Sequence, residues 1–202
     1  MFSGIVEAQS EIVSTSSQPG ILRIAVQKPV DFNDIKSGDS IAVNGICLTV
    51  EKYDHSKIEF ALAAETLRVT GWSESSLKTS KVNLERSLRM GDRVHGHFVS
   101  GHVDAMGKVV DRREVGGSLE LDIAFPEMLK AYIWKKGSWA LNGVSLTVNE
   151  VRENSASVCL IPETLERTNL AKLKSGDSVT IEVDPLARGL IHVLNTRNET
   201  NV

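Results

Sequence analysis

The sequence predicts an all-β protein: two tandem, homologous, six-stranded antiparallel Greek-key barrels followed by one C-terminal α-helix. Three observations carry this expectation. The chain repeats itself at an offset of 97 to 98 residues, its apolar residues alternate with a period of two, and only its tail shows an extended helical pattern. At 202 residues, 41% hydrophobic and 24% charged, it is long enough to bury two small cores.

The repeat sets the architecture. Residues 44–50 read NGICLTV and residues 142–148 read NGVSLTV, five identities in seven at an offset of 98. Glu65-Thr66-Leu67 returns as Glu163-Thr164-Leu165 at the same offset, while KVNLE at 81–85 resembles SVTIE at 178–182 at an offset of 97. Ser3-Gly4 is matched by Ser100-Gly101. Four anchors in one order, with one small slip in register, describe a duplication with a loop indel. The expected division is a first barrel over 1–97, a second over 98–185, and a tail over 186–202.

Each copy is written in strands. Ile58, Phe60 and Leu62 alternate with Glu59 and Ala61, Leu119, Leu121, Ile123 and Phe125 with Glu120, Asp122 and Ala124, and Val179, Ile181 and Val183 repeat the pattern, so one face of each strand turns inward. Gly38-Asp39, Asn44-Gly45, Gly116-Gly117, Asn142-Gly143 and Gly176-Asp177 supply turns between the runs. Short strands at even spacing favour a closed barrel, which leaves no exposed edges. Pro126-Glu127 opens a short helix, and each Glu-Thr-Leu segment suits one helical turn. In the tail, Leu186, Leu190, Val193 and Leu194 share a helical face, suited either to capping the second barrel or, as favoured here, to pairing between subunits.

Composition narrows the function. A net charge of −3, from 23 basic and 26 acidic residues, gives no field for a phosphate backbone, so nucleic acid is a poor partner. No segment approaches the apolar length of a membrane span, and the start carries no export signal, so the expected location is the cytoplasm. Cys47 and Cys159 lie far apart, without the spacing of a disulfide framework or a zinc site.

Two groups of residues stand out chemically. His95, His97 and His102 lie within HGHFVSGHVD; on a strand His95 and His97 would share a side, a spacing zinc can use, but no carboxylate or thiol completes a set. His102, directly after the repeated Ser-Gly, suits a proton carrier, and its counterpart is Ile5. In the Asn-Gly motif, Cys47 and Ser145 are equivalent, and each shares a strand face with a threonine, Thr49 or Thr147. Such small polar groups can hold a flat heterocycle at a barrel rim.

The opening MFSGIV, the NGICLTV and NGVSLTV pair, SGHVD, LIPETLERTN and VTIEVDP together resemble the riboflavin synthase family of the alpha-chain type along essentially the whole chain. The resemblance implies a dismutation in which one 6,7-dimethyl-8-ribityllumazine passes a four-carbon unit to another, giving riboflavin and a ribitylaminouracil with no cofactor and no metal. It implies a homotrimer, with the first barrel of one subunit facing the second barrel of another, and lumazine synthase as a candidate partner. Carried over, the first pocket takes Gly4, Ile5, Val6, Cys47, Leu48, Thr49 and the run Ala61, Leu62, Ala63, Ala64, Glu65 and Thr66. The second takes Gly101, His102, Val103, Lys136, Ser145, Leu146, Thr147 and the run Leu160, Ile161, Pro162, Glu163, Thr164 and Leu165. His102 and Ser145 are the expected catalytic pair, with Thr147 and Asp184 orienting and Cys47 contributing across the interface. Asn142 replaces an aspartate common in the family and His95 a usual glycine, so a mechanism needing a carboxylate at 142 does not transfer. The alternative is a relative that binds lumazine or flavin without catalysis; a flavin reductase or nucleic-acid binder on the same fold is more remote.

Overall fold

A computed structural model describes residues 1–77 and 81–199; the last three residues of the expected tail lie outside the described residues. The first repeat forms β1 (Ala8–Gln18), β2 (Ile21–Gln27), β3 (Ser40–Val43), β4 (Ile46–Tyr53), β5 (Lys57–Ala63) and β6 (Lys81–Arg86), with short helices α1 (Ala64–Thr70) and α2 (Glu74–Leu77) after β5. The six strands close into an antiparallel barrel in the order β1-β2-β5-β4-β3-β6. The inward residues of the alternation fill it: Ile24 pairs with Phe60 across β2 and β5, and both are buried beside Leu22, Ile58, Leu62 and Leu84.

The second repeat runs β7 (Ala105–Val115), β8 (Ser118–Ala124), β9 (Ser138–Leu141), β10 (Val144–Thr147), β11 (Glu150–Val151), β12 (Ser155–Leu160) and β13 (Ser178–Val183). Its sheet has the order β10-β9-β13-β7-β8-β12-β11. The two end strands, β10 and β11, are consecutive halves of the run equivalent to β4, so the sheet curls back on itself. In β4 the register slips between Val50 and Lys52; at the equivalent Val148-Asn149 the ladder breaks, and the Asn149 N–H bonds the Ser157 carbonyl on β12 at 2.8 Å. The bulge of β1 between Ile12 and Ser14 recurs in β7 between Val109 and Asp111. Pro126 opens a 3-10 helix over Glu127–Tyr132, α3 spans Pro162–Arg167, and α4 spans Pro185–Glu199.

The repeats meet across a local twofold axis that passes through their Asn-Gly turns. Asn44 and Asn142 have φ of 47° and 46°, each followed by a glycine at positive φ, the turn that joins two strands with the correct twist. A Cβ on Gly45 would lie 2.7 Å from the Gly143 nitrogen, and one on Gly143 2.6 Å from the Gly45 nitrogen, so only glycine permits this approach. Around the axis, Asn83 Nδ2 donates to the Asn142 carbonyl at 2.9 Å, and its equivalent Thr180 donates through Oγ1 to the Asn44 carbonyl at 2.6 Å. Asn169 ties the network together, donating to Asn44 Oδ1 and accepting from Asn83 and Asn142. The Asn142 amide accepts from the Thr180 N–H and donates to Asn169, whereas an aspartate there would lack the donor. Phe2 and Val99, again equivalent, form a two-way backbone bridge, and a small core of Phe2, Ala42, Val99 and Ala140 packs over it.

Beyond this bridge the chain starts cross over. Val6 packs into the core of the second barrel, while Val103 packs against the core of the first. Each barrel therefore takes part of its lining from the other repeat.

Candidate active site

The NGxxLTV strands present their polar residues as alternation requires. Leu48 and Leu146 are buried, while Cys47 and Thr49, and Ser145 and Thr147, look outward on one face. What lies over that face is the other repeat's Ser-Gly segment. The Cys47 N–H bonds the Gly101 carbonyl at 2.8 Å, and the Ser145 N–H bonds the Gly4 carbonyl at 2.8 Å. The fit is close enough to demand glycine: a Cβ on Gly101 would come within 2.5 Å of Cys47 Cβ, and one on Gly4 within 2.6 Å of Ser145 Cβ, both from backbones at positive φ. The grouping expected from sequence is thus exchanged. Gly101 lies against Cys47, and Gly4 lies against Ser145.

Each Ser-Gly segment is held by a buried glutamate from the last strand of its own repeat. Glu85 Oε1 accepts from Ser3 N–H at 2.7 Å and Ser3 Oγ at 2.9 Å, and Oε2 accepts from Gly4 N–H at 3.0 Å. Glu182 accepts the equivalent three bonds from Ser100 and Gly101 at 2.7, 2.6 and 2.9 Å. Burial raises both carboxyls, Glu85 to about 7, against the lowering effect of these donors. Neither glutamate was singled out from sequence, although the signal was there: a carboxylate at matching positions at the end of each apolar run, KVNLE and SVTIE.

The segment joining the barrels gives one of the clustered histidines a contact that its spacing does not indicate. His97 lies outside any strand, half-buried, with Nδ1 2.7 Å from Ser145 Oγ, and its backbone N–H donates to the Ser3 carbonyl at 3.2 Å. Burial lowers its basicity and the nearby Asp184 carboxylate acts in the opposite sense. His95 is exposed, and residues 95–98 form no strand, so the two do not share a strand face. The His102 side chain is exposed, and its backbone N–H bonds Ser100 Oγ at 3.3 Å. Among the described residues no cluster of histidine, cysteine and carboxylate groups is placed to hold a metal ion.

The remaining candidates sit at the barrel ends. Ala61, Leu62 and Ala63 finish β5 and lead through Ala64 into α1 with Glu65 and Thr66; Leu160 finishes β12 and leads through Ile161 into Pro162, Glu163, Thr164 and Leu165 of α3. Both helices begin from the same extended backbone, with φ, ψ of −78°, 165° at Ala63 and −76°, 161° at Ile161. Glu65 and Glu163 are exposed and paired with Arg68 and Arg167 on their own helices. Lys136 is exposed at a φ of 68°. Asp184 accepts the Leu186 N–H at 2.9 Å at the start of α4. An open cleft of about 900 Å³ runs beside the first barrel, where Ile5, Ser40 and His95 share the wall with Arg86, Arg89 and Arg93.

Two barrels with matching polar strand faces, each covered by a turn from the other, define a duplicated binding protein for a small ligand. Residues 3–87 and 100–184 each match the lumazine binding domain family. The chain is 40% identical to the riboflavin synthase of Photobacterium phosphoreum over 96% of its length and 89% of that protein. It is 41% identical to that of Brucella abortus (strain 2308), covering 93% and 95%, and 37% identical to that of Escherichia coli (strain K12), covering 95% and 90%. In fold it is similar to LumP complexed with riboflavin, with a TM-score of 0.84 and 25% identity over 91% of this chain and 99% of that one. The chain belongs to the lumazine-binding, riboflavin synthase family.

Proposed function

We propose that the protein is a riboflavin synthase, which converts two molecules of 6,7-dimethyl-8-ribityllumazine into riboflavin and 5-amino-6-ribitylaminouracil. The observation that carries this reading is the pair of exchanged rims, Cys47 under Gly101 and Ser145 under Gly4. A reaction between two copies of one molecule needs two similar sites, and the duplication supplies them. A four-carbon unit leaves one lumazine and joins the other. The atoms and electrons of two substrates equal those of the two products, so no outside oxidant or reductant enters.

The sites must also differ, because one ligand donates and the other accepts. His97 makes them differ: it lies on Ser145 and makes no such contact with Cys47. The chemistry begins with loss of a proton from the acidic ring methyl. Ser145 Oγ can take that proton as it passes its own to the half-buried His97 imidazole, and the Asp184 carboxylate favours the cation that results. His102 and Thr147 stand as further polar groups at the two rims, and Cys47 as the group that meets a partner subunit's site. Holding both ligands in reactive geometry removes roughly 7–11 kcal/mol of entropic barrier in the best-oriented cases.

The reading includes a homotrimer assembled through α4. Its apolar residues Leu186, Leu190, Val193 and Leu194 are exposed in the single chain, which is the pattern of a helix face that awaits a partner. The cytoplasm is the proposed location, supported by two free cysteines; no described helix is long and apolar enough to cross a membrane. Retention of Ser145, Thr147, His102 and Lys136 in the second repeat favours the enzyme over a non-catalytic carrier. The test is incubation of the purified protein with the ribityllumazine alone: riboflavin fluorescence rises, with one riboflavin formed for two lumazines consumed. Binding without turnover overturns the enzyme reading.

A further inference from the structure

Each repeat locks the start of its first strand to the end of its last through an acid, and the two locks draw their cation from different places. In the first repeat, Glu7 accepts the Arg86 backbone N–H at 2.6 Å and the Arg86 Nε at 3.0 Å, so strand β6 supplies both the amide and the charge. In the second, Asp104 occupies the place of Glu7 and accepts the Val183 N–H at 2.9 Å, but valine brings no charge. The cation comes from the tail helix: Arg188 Nη2 donates to Asp104 Oδ2 at 2.7 Å and lies 3.5 Å from the His102 carbonyl oxygen. Glu182, the residue before Val183, holds Ser100 and Gly101. The residues that shape the turn carrying His102 are thus joined, through Asp104, to one side chain of α4.

The pair is well placed to transmit position. Arg188 and Asp104 side chains are 33% and 19% exposed, so removal of either charge leaves the other partly desolvated and the turn less well defined. Ala187, the neighbour of Arg188, is buried, whereas Leu186 and Leu190 point outward. One face of α4 therefore meets the active-site turn and the other is free for association.

We infer that Arg188 is a positioning residue for the Ser100–His102 turn, and that it ties the geometry of this site to the packing of the helix proposed to join subunits. The inference rests on the riboflavin synthase reading for its functional meaning. In the first repeat the same lock needs no helix, so the dependence of the second on α4 is an asymmetry added to the duplicated frame.

The test uses the full-length protein with Arg188→Gln, Arg188→Lys and Asp104→Asn, read by amide hydrogen exchange and by steady-state kinetics. In Arg188→Gln, exchange over residues 99–104 should rise about tenfold while that over residues 2–7 stays unchanged. Turnover number should fall about tenfold with KM changed less than about twofold, and lysine should restore most of both effects. Unchanged exchange over 99–104, or an equal rise throughout the chain, overturns the inference, as does a lysine variant no better than glutamine. If Arg188→Gln does not fold, Asp104→Asn decides by the same criteria. Absence of riboflavin formation by the unmodified protein would refute the enzymatic reading alone, because the exchange result is independent of it.

Discussion

Glu85 gives the sharpest prediction about stability, because its cost and its sign both follow from the same contacts. The carboxyl is buried under the Ser3-Gly4 turn and pushed up to about 7 from an ordinary 4.5, burial outweighing the three donors that favour the anion. A raised folded-state value means that the native protein holds this proton more tightly than the unfolded chain. The contribution is then fully present below about pH 4.5 and is lost as pH rises through about 7, which is opposite to the usual behaviour of a salt-bridged acid. At about 1.4 kcal/mol per unit, the loss between about pH 4 and pH 8 comes to roughly 3 kcal/mol. Glu85→Gln removes the titration while leaving a side chain of the same shape, and the variant should be less stable overall because its amide cannot accept on both sides. The assay is urea unfolding of both proteins across that pH range, followed by tryptophan fluorescence. The stability advantage of the unmodified protein over the variant should shrink by about 3 kcal/mol from the acid end to the alkaline end. Parallel stability curves would refute the reasoning, and an advantage that grows with pH would show that the donors, not burial, set the carboxyl.

Other consequences concern the site and its assembly. His97→Gln and Ser145→Ala should each slow riboflavin formation by about 100-fold or more while weakening lumazine binding less than about fivefold, and equal losses in both would reduce the pair to binding residues. Gly101→Ala places a methyl against Cys47 at a φ of 82°, so it should abolish turnover and lower the unfolding midpoint; a silent variant would contradict the observed packing. Phe2→Ala empties the small core on the twofold axis and should cost about 3–5 kcal/mol in denaturant unfolding, against less than about 1 kcal/mol if the chain start were a loose appendage. On the proposed assembly through α4, Leu190→Glu on its outer face should lower the sedimenting mass to that of a single chain, with an unchanged mass excluding that face from assembly.

The strands were legible in the sequence because each is half-buried: Ile58, Phe60 and Leu62 alternate with polar neighbours and do line the first barrel. The Asn-Gly turns were legible for a comparable reason, since few residues other than asparagine and glycine accept the backbone they adopt. The exchange of rims was not. Whether Val6 enters its own barrel or the other is decided by tertiary packing, and the same apolar residue serves either outcome. The contact of His97 was hidden because HxH suits a strand, whereas residues 95–98 form no strand and the imidazole lies against Ser145. The break after β10 was equally hidden, since Val148 and Val50 are identical in type while the ladder bulges in one copy and parts in the other. Arg188 carried no signal at all: its partner Asp104 lies 84 residues away.

The central claim is that each chain builds two unequal lumazine sites, each lined by both repeats. Equilibrium titration of the protein with riboflavin, a product that does not turn over by itself, tests this directly through the quenching of its fluorescence. The account predicts saturation at two molecules per chain in two phases, with Gly101→Ala removing one phase and leaving the other. Saturation at a single molecule per chain, or the loss of both phases together in a folded Gly101→Ala protein, would contradict it.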